Sequence, residues 1–347
     1  RAGLGPSAWA EYSRCLPADE AAATPLNVLL WPEAEQERLL EGTQLLQTVR
    51  SYRAYVASEE ERCGLGPGEL LWAFAAVRTH RRPPLDDGPE LAVVPLLDLI
   101  RHAPSDLSNA ALKRPGMFGA GRPLRAEAAR DIEAGEIVTC DLTPAGAFLG
   151  DGALLLDYAQ AYLARQVPTY ELVLPVPEDC EFRDDKVDIL ETAELGEEMI
   201  FTLLAGQDPP QELLATLRLL GLKGKDAFLL ESVFRREAWG FCQAPISMDN
   251  EREMCEAMLG SARAALEAMG GAEAAGAWER TKLDSREAVA AFVRRSEARV
   301  LTSFAEWFST RLQDLSKLEY YQEKRLKDLN LLDASGQSTY SEADDVW

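Results

Sequence analysis

This sequence predicts an α+β protein in two parts: a β-rich fold with a helical insertion, then an all-α C-terminal domain. Three observations carry the prediction. Short β-rich runs bounded by Gly, Pro and Asp occur only in the first half, at residues 91–95, 136–140 and 170–174. Ahead of them, apolar residues recur at helical spacing, and after residue 174 the helical pattern continues almost to the end. The predicted division is a first domain over 1–168 with a helical insertion over about 27–90, an all-α domain over 169–332, and a polar tail over 333–347.

In chain order, a short helix is expected over 9–16, stopped by Pro17. One long helix is expected over 33–56, with Leu39, Leu40, Leu45, Leu46, Val49 and Tyr52 at near-helical spacing. Another is expected over 67–77, where Leu70, Leu71 and Phe74 share a face with Trp72 beside them. The run between the strands at 91–95 and 136–140 is rich in Gly, Pro and Arg and reads as irregular. After the strand at 170–174, helices are expected over 211–220, 227–234 and 254–269, the last broken by Gly270, Gly271 and Gly276. The final helix begins at Asp284 as N-cap, with Glu287 three residues later. Its stripe of Val289, Phe292, Val293, Val300, Phe304, Phe308, Leu312 and Leu315 is core or partner surface.

The 347 residues suffice for two cores, and the 47% hydrophobic content is ordinary for a globular chain. A net charge of −22 argues against nucleic acid, because phosphate contacts need clustered cations; residues 78–82 are an example of a locally basic run. With two histidines, and six cysteines without a Cys-x-x-Cys pair, no zinc site can be assembled, so the cysteines read as reduced thiols. The most apolar run, 91–100, contains Pro95 and Asp98 and reads as core rather than a membrane span. The opening Arg1-Ala2-Gly3-Leu4 carries no charged-then-apolar leader pattern. No Gly-x-Ser-x-Gly elbow or phosphate-binding Gly-x-x-x-x-Gly-Lys loop occurs. The paired acids Asp86-Asp87, Asp184-Asp185 and Asp344-Asp345 read as solvated loops.

Several longer motifs resemble one family. Leu71-Trp72-Ala73-Phe74-Ala75-Ala76-Val77 resembles the Trp-bearing helix that precedes the donor-binding Ser-Arg pair of the Rubisco large-subunit methyltransferases. Val94-Pro95-Leu96-Leu97-Asp98-Leu99-Ile100-Arg101-His102 is similar to their Pro-Leu-Ala-Asp-Leu-Ile-Asn-His segment. Residues 134–142 and Leu154-Leu155-Leu156-Asp157-Tyr158 resemble their closing strand and the following Leu-Asp-Tyr-Gly-Phe helix. Residues 226–234 and 318–329 resemble their C-terminal substrate-binding domain. The resemblance runs from about Ser7 to Leu332. It implies a SET domain with a helical insertion, then an all-α domain that docks protein substrates. The implied activity is methyl transfer from S-adenosylmethionine to lysine ε-amines of plastid proteins, by positioning and electrostatics.

The departures from that pattern fall on its functional positions. The family's Gly-x-Gly loop lies well upstream of Trp9, and Gly3-Leu4-Gly5 is too close to Trp9 to be it, so the donor-binding strands are expected to be absent. His80 follows Thr79 where the family has Arg in its Ser-Arg pair. Arg101 precedes His102 where the family has Asn. A fixed guanidinium opposes a donor that is itself positive; like charges about 4 Å apart at an effective dielectric near 20 repel by roughly 4 kcal/mol. Cys140 stands at the catalytic tyrosine position, and a thiol is a poor substitute for a phenol in orienting an amine. Tyr158 is kept, but Ala159-Gln160 replaces Gly-Phe.

The expectation is therefore a degenerate site. No catalytic residue is expected, with Cys140 and Tyr158 at the degenerate positions. No cofactor is expected, with His80, Arg101 and His102 at vestigial pocket positions, and no metal. The partners expected are proteins of a larger plastid complex, such as a photosystem's stromal face, Rubisco or the transcription machinery, with membrane association only through a partner. The alternative is an active S-adenosylmethionine-dependent protein-lysine N-methyltransferase.

Overall fold

The structure is a computed structural model describing residues 6–14, 16, 26–82, 92–113, 125–143, 150–161, 168–271, 283 and 285–331. The chain forms two compact units, one from Arg1–Thr169 with Glu267–Arg299, the other from Tyr170–Leu266 with Val300–Trp347. It is mixed α and β, as the pattern predicts.

The first unit opens with α1 (Pro6–Ser13), which starts three residues earlier than expected because Pro6 suits the first turn of a helix. The single helix expected over 33–56 is two, α2 (Glu33–Leu39) and α3 (Gln44–Cys63). Gly42 makes the break: its φ is +76°, and a Cβ there would lie 2.3 Å from the Ala268 carbonyl oxygen. Thr43 then caps α3, its side chain accepting from the Leu46 N–H at 3.2 Å. The apolar spacing survives the break because both helices feed one core, where Leu40, Leu45, Leu46 and Val49 are buried with Trp31, Leu155 and Val293.

The helix expected over 67–77 is α4 (Glu69–His80). The Glu60 carboxylate fixes its start, accepting from the N–H groups of Gly68, Leu70 and Leu71 at 2.8–3.1 Å. Those donors hold the Glu60 carboxyl below its ordinary range against the opposing effect of burial.

The strands expected at 91–95 and 136–140 are shorter than predicted, two residues each among the described residues. β1 (Arg81–Arg82) pairs antiparallel with β2 (Ala92–Val93), and β3 (Arg101–His102) pairs parallel with β6 (Thr139–Cys140). The run expected to be irregular holds an antiparallel pair, β4 (Ala110–Lys113) with β5 (Arg125–Ala128). Their Ala, Arg, Lys and Glu residues have little β-propensity, so pairing rather than composition makes them strands. Buried Asn109 fastens β6. Its Oδ1 accepts from the Thr139 N–H at 2.8 Å, and its Nδ2 donates to the Ile137 carbonyl at 2.9 Å. α5 (Asp151–Tyr158) packs behind, with Leu154 and Tyr158 in a small core beside Cys140 and Leu142.

The second unit is mainly helical but not all-α: the strand expected at 170–174 is β7 (Thr169–Pro175), and it pairs with β8 (Glu198–Leu204), which was not expected. β8 alternates strictly, burying Met199, Phe201 and Leu203, the period-two pattern of a half-covered strand. Between the strands lies α6 (Arg183–Thr192). α7 (Gln211–Leu220) has the bounds the pattern predicts. The helix expected over 227–234 is instead a 3₁₀ run, Gly224–Leu230, because burial stops at Leu230 and Val233 is exposed. After α8 (Ala238–Cys242), α9 (Met248–Ala268) starts six residues before the expected 254. There the Ser247 hydroxyl accepts from the Asn250 N–H at 3.2 Å. Gly270 and Gly271, with φ of +102° and +77°, follow it.

α10 (Arg286–Gln313) contributes to both units. The N-cap expected at Asp284 lies outside the described residues; Ser285 accepts from the Ala288 N–H at 3.2 Å. Six of the eight residues of the predicted stripe are buried, Val289, Val293, Val300, Phe304, Phe308 and Leu315, while Phe292 and Leu312 are half-buried. In the second unit, fully buried Glu251 on α9 joins Arg218 of α7, at 2.9 and 3.1 Å, to Arg311 of α10 at 2.7 Å. α11 (Tyr321–Asp328) is the last described helix, and the expected tail lies outside the described residues. Of the described helices, none is long and apolar enough to cross a membrane. The described cysteines are free, with Cys140, Cys242 and Cys255 buried.

Candidate functional site

A cavity of about 330 Å³ in the first unit gathers three of the five positions singled out in the sequence: His80, Arg101 and Tyr158. α4 supplies Trp72, Ala76, Thr79 and His80; the turn leading into β3 supplies Asp98, Leu99 and Arg101. The end of α5 supplies Tyr158, Ala159 and Gln160, and Leu26, Asn27 and Leu30 complete the wall. Cys140 and His102 are adjacent across the β3–β6 pair and lie outside this lining, 1% and 2% exposed.

Asp98 organises the cavity. It sits in a 3₁₀ turn (Leu97–Leu99) entered through Leu96, whose φ of +75° is strained backbone for a leucine. The Tyr12 hydroxyl donates to Asp98 Oδ2 at 2.5 Å, and His80 Nδ1 lies 2.8 Å from the same oxygen. Oδ1 is buried and has no hydrogen-bond partner among the described residues. His80 is thus engaged with a carboxylate, while Arg101 is exposed and makes no ion pair among the described residues.

Two cations of the basic run beside the cavity share one carboxylate. Arg78 and Arg81 both pair with Asp157, Arg81 at 2.8 Å, and the Arg78 guanidinium lies 4.1 Å from the centroid of the Tyr52 ring.

Beneath the wall, His102 Nδ1 accepts from the Leu142 N–H at 3.1 Å, which assigns its proton to Nε2. Burial pushes the His102 pKa down, against the pull of Asp141. Burial opposes the charge on Asp141, but hydrogen bonds from Ser105 and Thr143 still hold its carboxyl below the ordinary range. His102 is therefore a neutral core histidine. The Gln160 side chain accepts from the His102 N–H at 2.8 Å, tying the end of α5 to β3. Ala159 caps α5 in the left-handed conformation, φ 49° and ψ 44°, where glycine costs least. Cys140 packs in the small core with Ile100, Ala110, Leu142, Leu154 and Tyr158.

In the sequence Tyr12 is only part of a predicted helix and Gln160 only a departure from the family pattern. Neither carries a signal in spacing or composition, since both act across more than fifty residues of sequence.

Paired short strands beside a helix-lined cavity, with a largely helical second unit, form the architecture of SET-domain lysine methyltransferases. Within that class, the chain belongs to the Rubisco large-subunit methyltransferase family. Residues 177–301 match the family model described as Rubisco LSMT substrate-binding. The chain is 32% identical to the chloroplastic fructose-bisphosphate aldolase-lysine N-methyltransferase of Arabidopsis thaliana, over 95% of this chain and 70% of that one. It is 31% identical to the chloroplastic Rubisco large subunit N-methyltransferase of Pisum sativum, over 95% and 69%. Among solved structures, the SET domain of LSMT bound to lysine and AdoHcy superposes with a TM-score of 0.79 at 31% identity, covering 96% of this chain and 78% of that one. Rubisco LSMT bound to AdoMet gives 0.76 at 30%, covering 95% and 77%.

Proposed function

We propose that this chain is a non-catalytic member of its family, kept as a protein-binding subunit of a larger plastid assembly. Cys140 carries the reading. It occupies the position that the resemblance assigns to the catalytic tyrosine, it is 1% exposed in an apolar core, and it lies outside the cavity lining. A thiol there has neither the reach nor the donor strength of a phenol that orients an amine. Losing one such donor in other enzymes lowers rate by about 10²–10³.

The cavity supports the same reading. The orphaned Asp98 Oδ1 calls for a ligand donor, but Arg101 brings a permanent cation to the wall. The residues present suit an amino-acid head group and do not suit a sulfonium. The curated relatives are chloroplastic by name and act on aldolase or Rubisco, so a plastid protein is the partner class proposed here.

A second reading, an active S-adenosylmethionine-dependent protein-lysine methyltransferase, is favoured by one observation. Tyr158, the tyrosine the family keeps, remains on the cavity wall. Incubating the purified chain with methyl-labelled S-adenosylmethionine and plastid protein extract separates the two. The proposal expects no label on lysine; lysine methylation dependent on this chain would reverse the order of the readings.

A further inference from the structure

The second unit holds a buried amine beside a partly exposed thiol. We propose that Cys180 and Lys186 form an oxidant-responsive modification site, in which hydrogen peroxide converts the thiol to a sulfenic acid and the lysine amine captures it as a reversible sulfur–nitrogen bond. This holds whether or not the first unit is catalytic.

Lys186 lies in the first turn of α6 and is 1% exposed. Its Nζ donates to the Leu220 carbonyl at the end of α7, at 2.8 Å, and lies 3.4 Å from Cys180 Sγ. It makes no ion pair among the described residues, so no carboxylate holds the amine back from the sulfur. Reacting atoms about 3–3.5 Å apart are placed for attack. Cys180 stands just ahead of α6 and is half-buried, so a small oxidant reaches its sulfur. Between them Phe182, left-handed at φ +56° and 49% exposed, turns the chain so that the two side chains meet.

The other described cysteines each lack one half of this arrangement. Cys140, Cys242 and Cys255 are buried, and burial pushes the thiols of Cys242 and Cys255 up to about 12. Cys63 is exposed, but no lysine lies within hydrogen-bond reach of its sulfur among the described residues.

The chemistry needs one hydrogen peroxide. Sulfur takes one of its oxygens as the O–O bond breaks and water leaves; sulfur loses two electrons and the peroxide gains them. The Nζ lone pair of Lys186, in its amine form, then attacks sulfur. The S–O bond breaks, and the departing hydroxide takes an amine proton and leaves as a second water. The bonded pair has two hydrogens fewer than the free pair, and added thiol reverses it by attack at sulfur.

The test treats the whole purified chain with hydrogen peroxide, digests it with trypsin without reductant, and identifies the peptides by mass spectrometry. Trypsin cuts between the two residues at Arg183. The bond is therefore expected to join the peptide ending at Arg183 to one that runs uncleaved through Lys186, at two hydrogens below their summed mass. Dithiothreitol before digestion is expected to restore cleavage after Lys186. In Lys186→Arg, which keeps the charge and loses the amine, Cys180 is expected to remain a sulfenic acid that dimedone labels. Oxidised Cys180 with Lys186 still cleavable, a disulfide at Cys180, or Cys180 left unoxidised each overturns the proposal. All three are read on the unaltered chain, whatever the variant does.

Discussion

At the scale of single residues, the departures from the family pattern have local structural consequences. Ala159 stands where the resemblance has glycine, and it must adopt a left-handed conformation to end α5, at φ 49°. An L-residue with a Cβ pays roughly 1 kcal/mol for that geometry. Ala159→Gly is therefore expected to stabilise the protein by about 0.5–1 kcal/mol, raising the midpoint of chemical denaturation without changing the slope. A lower midpoint would show that glycine's greater unfolded-state freedom outweighs the relieved strain. The sequence made His80, Arg101 and Tyr158 legible because they sit in motifs, and the fold brings these three to one cavity. It did not reveal Asp98 as the organising group, because its partners Tyr12 and His80 come from two other segments. Nor did it reveal that Cys140 lies outside that lining, since a strand's alternation says which residues share a face but not what covers it.

At the scale of elements, α10 holds the first unit together through buried acids. Its Glu297 accepts from the N–H groups of Gln44 and Leu45, at 2.7 and 3.2 Å, at the start of α3, and its Ser296 hydroxyl donates to Asp151 at the start of α5. Burial pushes Glu297 up to about 7, against those backbone donors. It pushes Asp151 up to about 6, against the Ser296 hydrogen bond and nearby Arg299. Because both folded-state values are raised, the stability these groups contribute is complete below the ordinary carboxyl range near pH 4. It is lost as pH rises through about 6 for Asp151 and about 7 for Glu297. Asp151→Asn removes one ionisation and keeps an oxygen to accept from Ser296. Its melting temperature relative to the unaltered chain should therefore rise between pH 4.5 and pH 8, by an amount on the order of 2–3 kcal/mol of stability. A difference that stays constant with pH would show that Asp151 does not titrate across this window. No local pattern discloses such a cluster: α10 was readable from its apolar stripe, whereas Ser296 and Glu297 find partners about 145 and 250 residues away. β8 was readable in principle from its alternation, but helical neighbours on both sides masked a seven-residue signal.

At the scale of the whole molecule, the dominant property is charge: 58 acidic residues against 36 basic ones give −22. Such a surplus does not help a globular chain fold, since like charges repel in the compact state. It does favour encounter with a partner that presents basic patches, and it excludes anionic partners over the same distances. Fourteen large apolar side chains are also exposed among the described residues, with Leu96 and Val233 at 77% and 80%, so the surface offers short-range contacts as well as a long-range field. A subunit of this kind should be captured from plastid extract with a stoichiometric protein partner at low ionic strength. Raising salt past about 0.15 M, where the screening length falls to roughly 8 Å, should slow association more than it speeds dissociation. Native-gel migration and mass spectrometry of the captured complex, over a salt series, read this directly. If the chain migrates alone at every salt concentration, with no stoichiometric partner even at the lowest, the protein-binding role fails. The acidic surface would then need another explanation, in solubility alone.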